Sequence, residues 1–369
     1  MQTVERNEAA GAAGYEIPSK MRAAVLFGPD DLRVVELPVP RPGPQDVLIK
    51  VAACAICGTD LKITHHPFPG QPDFGVFIPG HEYVGTVVAV GSTVDEFKLG
   101  DRVAVEAHKG CMRCENCIRG EYTACLNFGN PAKGHHASGF TVPGGYAEYT
   151  VHHINAVYHL PDSMSFDEAT MMTTTGTPLY GLDVAGGFIA GDTIAVIGPG
   201  PIGLTTAAVS KALCADKVIL VGTNEARMKL GPEFGADHLV MARGDEAVKQ
   251  VRDLTGGLGA DLVIDCAGGP GTLDDALKMA KLGTKVLLLA FYKDVVTADI
   301  SHAIRSDITI YTTRGEGHSA CRRGLSMMRQ GKLPMSKMIT HEFPLEKIME
   351  AFATFRERRD NAIKVLIKP

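Results

Sequence analysis

The sequence predicts an α/β protein built from two units, a β-rich barrel-like unit and a doubly wound parallel sheet with helices on both faces. Three observations carry that expectation. Before about residue 150, apolar runs of about four to eight residues are cut by Gly and Pro, as in a barrel of short strands. Beyond about Thr175, compact apolar runs alternate with helix-length segments, the pattern of a parallel sheet covered on both faces. A glycine-rich turn joins the first of those runs to the helix after it. The length of 369 residues suits two domains, and a hydrophobic content of 45% supplies full-sized cores.

In chain order, residues 1–20 are polar and small without an apolar centre, and are expected to form a flexible extension rather than a secretion signal. Strands are expected at 22–27, 32–37, 46–54, 82–90, 102–105 and 147–151, each an apolar run between turn residues. The second unit is expected to place strands at 193–197, 217–221, 262–266 and 285–289. Helices should follow them at 202–213, 226–234, 273–280 and 317–329. From about Leu333 the texture is mixed, with a helix near 345–356 and a closing strand at 362–367. The β-rich unit therefore starts before the α/β unit and resumes after it, with 21–175 and 317–369 flanking 176–316.

Thirty-seven Lys and Arg against 42 Asp and Glu leave a net charge of −5, which disfavours binding to nucleic acid or an anionic membrane. No apolar stretch approaches the roughly 20 residues of a bilayer span. Nine cysteines, an odd number without a secretion signal, are expected to be reduced thiols in a cytoplasmic protein.

Gly198-Pro199-Gly200-Pro201-Ile202-Gly203 follows an expected strand and opens an expected helix, the setting in which G-x-G-x-x-G marks a dinucleotide site. The glycines permit a tight turn and close approach of backbone to a pyrophosphate, and the helix N-terminus offers unpaired N–H groups. Roughly 20 residues on, a unit that binds NAD carries an acid for the ribose hydroxyls. Here that place is Gly222. Thr223, Asn224 and Arg227 could hydrogen-bond a 2′-phosphate, with Glu225 the nearest acid, so both NAD and NADP remain open.

Cys111, Cys114, Cys117 and Cys125 are spaced C-x2-C-x2-C-x7-C, which suits a closed tetrahedral structural zinc. A second constellation joins Cys57, Thr59 and Asp60 after one expected strand to His81 and Glu82 before another. A cysteine, a histidine and a carboxylate suit a zinc with an open position, as catalysis requires.

Taken with Gly80 to Gly85, Val90-Gly91, Gly100 to Val103 and Gly144 to Glu148, these motifs make the chain resemble the zinc-dependent medium-chain dehydrogenases and reductases. The resemblance, to the alcohol, polyol and threonine dehydrogenase branch, covers about residues 21–369. It implies a GroES-like catalytic domain, a Rossmann domain that holds NAD or NADP in the cleft between them, and a homodimer or homotetramer. It makes Cys57 and His81 catalytic zinc ligands, with Glu82 a ligand or a close carboxylate. Asp60 would orient His81, and Thr59 would pass the substrate proton outward.

Two positions depart from the family pattern. Lys62 stands where related enzymes often carry His, so Lys62, His65, His66 or water would complete the proton path. Thr173 or Thr174 stands where the family places a third protein ligand, and neither is an ordinary zinc ligand. The expected activity is hydride transfer between a secondary alcohol, a small polyol, and NAD or NADP. The alternatives are a threonine-like amino-alcohol dehydrogenase, suggested by Gly80 to Gly85, Arg314, Glu316, Thr340 and His341, and an inactive zinc- and nucleotide-binding protein.

Overall fold

The structure is a computed structural model, and it describes residues 15–66, 68–317 and 319–369. Most of the expected N-terminal extension lies outside the described residues. Nine strands come first: β1 (Lys20–Gly28), β2 (Asp31–Pro38), β3 (Asp46–Ala55), β4 (Glu82–Val90), β5 (Arg102–Val105), β6 (His108–Lys109), β7 (His136–Ala137), β8 (Tyr149–His153) and β9 (Val157–His159). Six strands then alternate with helices: β10 (Thr193–Ile197), β11 (Lys217–Val221), β12 (His238–Val240), β13 (Ala260–Asp265), β14 (Ala280–Leu288) and β15 (Thr309–Thr312). The last pair is β16 (Ile339–Pro344) and β17 (Lys364–Lys368).

The first sheet runs β16-β17-β3-β4-β5-β9, with β8 also paired to β3, so strands from both ends of the described chain form one body. The second runs β12-β11-β10-β13-β14-β15, and every pairing in it is parallel. This is the Rossmann order. Strand order reverses beside β10, and such a reversal opens a crevice for ligands at the carboxyl ends of the strands.

Four expectations change in detail. The single helix expected at 226–234 is broken into Glu225–Met228 and a 3-10 turn Gly231–Phe234, because Pro232 lacks the N–H that would continue it. The helix expected at 317–329 begins at Ala320. Edge strands β12 and β15 and the helix Gly244–Leu254 add to the expected set; each of the two strands carries half-exposed polar residues that blur an apolar run. The helix Met172–Val184 crosses the break expected after residue 175, although its first turns are rich in threonine. Thr175 and Thr177 donate their hydroxyls back to the carbonyls of Met171 and Thr173, which satisfies them inside the helix. Met172 and Leu179 of that helix pack in one continuous core with Ala53 and Val84 of the first sheet and Ile194 and Leu262 of the second. The two sheets therefore share an apolar seam.

Candidate active site

Strands β3 and β4 are antiparallel with Ala55 opposite Glu82, so the residues just beyond β3 and just before β4 emerge side by side. Cys57 caps the helix Gly58–His65, and its N–H donates to Asp60 Oδ2 at 2.8 Å. Asp60 is fully buried; it also meets His81 Nδ1 through Oδ1 at 3.2 Å and accepts the Tyr146 hydroxyl at 2.9 Å. Gly80, with φ +94°, leaves no room for a Cβ, which would fall 2.9 Å from both Cys54 Sγ and the Tyr146 ring. The turn thus fixes His81 by sterics and Asp60 by hydrogen bonds.

Donor atoms of Cys57, His81 and Glu82 all lie within 4.8 Å of one another. The Cys57 sulfur and two buried carboxylates, Asp60 and Glu82, surround a single buried lysine, Lys364, which ion-pairs with Glu82 Oε2. Burial lowers the pKa of His81, but the charge and hydrogen bond of Asp60 together with Cys57 raise it well above the usual range, so this pocket attracts positive charge. The donor set and the local preference for positive charge both fit a zinc dication with one position left open.

Thr174 is the residue at the departing position that touches this group: its Oγ1 donates to Glu82 Oε1 at 3.2 Å. Thr173 is buried beside it with its hydroxyl unpartnered. With neither threonine a usual ligand, Glu82 is the third donor whose atoms lie close to those of Cys57 and His81.

The cysteine quartet is equally close-set. Cys111 and Cys117 sulfurs are 3.9 Å apart, as are those of Cys114 and Cys125. Bonds of about 2.3 Å in a tetrahedron put sulfurs about 3.8 Å apart, so the four already have the spacing of a structural zinc site. Burial acts to raise the pKa of Cys111, but N–H donors from Arg113, Asn127 and Cys114 outweigh it and lower that pKa, while burial raises Cys117 and Cys125.

A cavity of about 720 Å³ connects the Cys57 group to the Rossmann crevice, lined by Thr59, Lys62, Thr174, the Gly200-Pro201-Ile202 turn and the 266–271 loop. Gly200 is open toward it, while Gly203 closes against the turn, where a Cβ would stand 1.7 Å from the Gly198 carbonyl. Gly198, Gly203, Gly222, Thr223 and Asn224 shape the turns without lining the cavity; Arg227 does line it. Asn224 accepts the Arg227 N–H as a helix cap, and Glu225 pairs with Lys229 at 2.8 Å on the exposed side. His65 is held at the surface by Asp30, 2.7 Å away.

At Gly222 a Cβ would lie 2.4 Å from the Pro199 ring. The expected place for a ribose-binding acid is therefore blocked by the phosphate turn itself. Gly222→Asp is expected to weaken both NAD and NADP by displacing Pro199, seen as a rise in KM for each. A clean switch to NAD would overturn this explanation.

Residues 43–162 match the alcohol dehydrogenase GroES-like domain, and residues 201–330 match the zinc-binding dehydrogenase domain. The L-threonine 3-dehydrogenase of Pyrococcus horikoshii is 33% identical over 339 residues, 91% of this chain and 95% of the relative. The chain belongs to the zinc-dependent medium-chain dehydrogenases. Other members of that family share the same reach: the sorbitol dehydrogenase of Bacillus subtilis is 29% identical over 96% of this chain and 99% of its own length. A putative zinc-binding dehydrogenase from Sinorhizobium meliloti, solved bound to NADP, superposes with a TM-score of 0.85 at 28% identity, over 95% of this chain and all of its own. As a medium-chain dehydrogenase this chain is a zinc enzyme that uses a nicotinamide coenzyme, and none of its described helices is long and apolar enough to cross a membrane.

Sequence reasoning missed three buried ionisable residues around this dehydrogenase's site. Lys364 opens strand β17, and a lysine within the apolar run 362–367 was the available signal. Glu106, just past β5, accepts hydrogen bonds from Tyr122 and Tyr158 at 2.6 Å each, and burial pushes its pKa up to about 7. Glu316 was noted only as part of a substrate alternative; burial and the charge of Glu106 push it up to about 8. Thr340 and His341 lie on β16, where Thr340 bonds Lys364 O and the Ile363 N–H, and neither lines the cavity.

Proposed function

We propose that this dehydrogenase oxidises a secondary alcohol, a small polyol, and transfers hydride to NAD or NADP. The observation that carries the reading is the single cavity onto which the Cys57, Thr59 and Glu82 side chains and the Gly200 turn all open. When bound, zinc supplies Lewis acidity toward a substrate hydroxyl and the nicotinamide supplies the hydride acceptor. Cys57, His81 and Glu82 would hold the metal, and Asp60 keeps His81 oriented through Nδ1.

Thr59 Oγ1, 3.8 Å from Cys57 Sγ, receives the substrate proton and passes it outward. Lys62 stands next in the cavity wall, and partial burial with the nearby charge of Lys293 lowers its pKa, which suits a proton carrier. His65 is tied to Asp30 and plays no part.

Because no carboxylate occupies position 222, NADP is accepted at least measurably. The test is coenzyme reduction, followed by near-ultraviolet absorbance, with a panel of polyols, L-threonine and simple alcohols and with each coenzyme. Turnover of polyols with NADP is expected. Turnover of L-threonine alone would replace the substrate reading, and a preference for NAD beyond about a thousandfold, about 4 kcal/mol, would show that another group excludes the phosphate.

A further inference from the structure

Two arginines from different parts of the fold meet at the Rossmann end of the cavity. Arg227 comes from the helix after β11, five residues beyond the blocked Gly222. Arg358 closes the helix Ile348–Glu357, which lies between β16 and β17 of the other sheet. Neither forms an ion pair among the described residues, whereas the neighbouring Arg356 and Arg359 are matched with Asp30 and Glu357. Arg227 is tied across the seam by a hydrogen bond of 3.1 Å from its guanidinium to the Ala362 carbonyl. Burial, and then the like charge of Arg358, lowers the Arg227 pKa.

Like charges left together without a counter-charge are unfavourable. The acid that could have neutralised them from position 222 is excluded by Pro199, and Glu225 is engaged by Lys229. Arg358 moreover holds φ +56° and ψ 37°, a left-handed conformation that glycine adopts more readily at a helix end. An arginine stands there despite that backbone preference, and its side chain reaches the cavity.

We propose that Arg358, contributed by the β-rich unit, is a second cation on the 2′-phosphate of NADP, joining the Arg227 that the Rossmann motif already places there. This deepens the coenzyme reading above and rests on it. A phosphate monoester carries close to two negative charges and three acceptor oxygens, and guanidinium forks match it with paired hydrogen bonds. The same phosphate would tie the Rossmann unit to the β-rich unit at the edge of the cleft.

The test is calorimetric titration of the zinc-loaded, full-length protein with 2′,5′-ADP and with 5′-AMP, which differ only in the 2′-phosphate. The unmodified protein is expected to bind 2′,5′-ADP about tenfold or more tightly at low salt. Arg358→Gly should remove most of that ratio and leave 5′-AMP binding unchanged. Glycine suits the left-handed backbone, so this variant should unfold no earlier than the parent. Arg358→Lys should recover part of the ratio. Equal affinity for the two ligands in the parent, or equal weakening of both by Arg358→Gly, would overturn the assignment while leaving the dinucleotide site in place. If neither ligand binds, the coenzyme reading fails along with it.

Discussion

Glu82→Gln is expected to reduce the zinc retained after mild chelation from about two ions per chain to about one, and activity should fall with the lost ion. The amide keeps the shape of the side chain but removes the charge that balances the metal. It also strands Lys364, whose side chain is 2% exposed and has Glu82 as its ion-pair partner. Breaking a buried pair from one side costs about 3–5 kcal/mol, so a lower melting temperature is expected as well.

Two further variants separate these effects. Lys364→Met removes the competing cation and leaves Glu82 free for metal, so zinc content should hold. The double variant Glu82→Gln with Lys364→Met should recover stability without recovering the second ion. Retention of both ions by Glu82→Gln, with only stability lost, would assign Glu82 to Lys364 rather than to zinc. Full activity of the unmodified protein with one zinc per chain would remove the catalytic metal altogether.

Cys114→Ser is expected to remove about one zinc per chain and to lower the thermal midpoint by about 10 °C, as loss of a native cross-link of about 2–5 kcal/mol would. The reason lies in the composition of that lobe. Its buried cluster consists of Cys111, Cys117 and Cys125, with Cys114 and Tyr122 packed against them. Without the metal, little apolar surface is left to order the segment. The damage should extend to the active site, because the Tyr122 hydroxyl bonds Glu106 and Arg314 bonds the Thr123 carbonyl. Unchanged zinc content in this variant would overturn the assignment of the quartet.

What the sequence made legible was whatever is local. Strands β4, β5, β10 and β11 begin and end where the apolar runs do, since turn residues bound them on both sides. The cysteine quartet and the Gly198 turn were legible because their ligands or phosphate contacts lie within a few residues. The Met172–Val184 helix was obscured by threonines, two glycines and Pro178, residues with weak helical preference that burial overrides. Lys364 was hidden for a different reason. Its meaning depends on Glu82, and nothing near either residue points to the other.

That pairing spans 282 positions in the chain, and the interval has a temporal consequence. At about 5–20 residues per second, synthesis leaves Glu82 without its lysine for about 15–55 s. Strand β17, which also pairs with β3, arrives at the same late moment, so β3 lacks its β17 partner for that whole time. The six strands of the parallel sheet, by contrast, occupy one uninterrupted stretch. On the ribosome the coenzyme-binding body is therefore placed to close first, and Glu82 gains its buried ion-pair partner only when the strand carrying Lys364 docks beside β3.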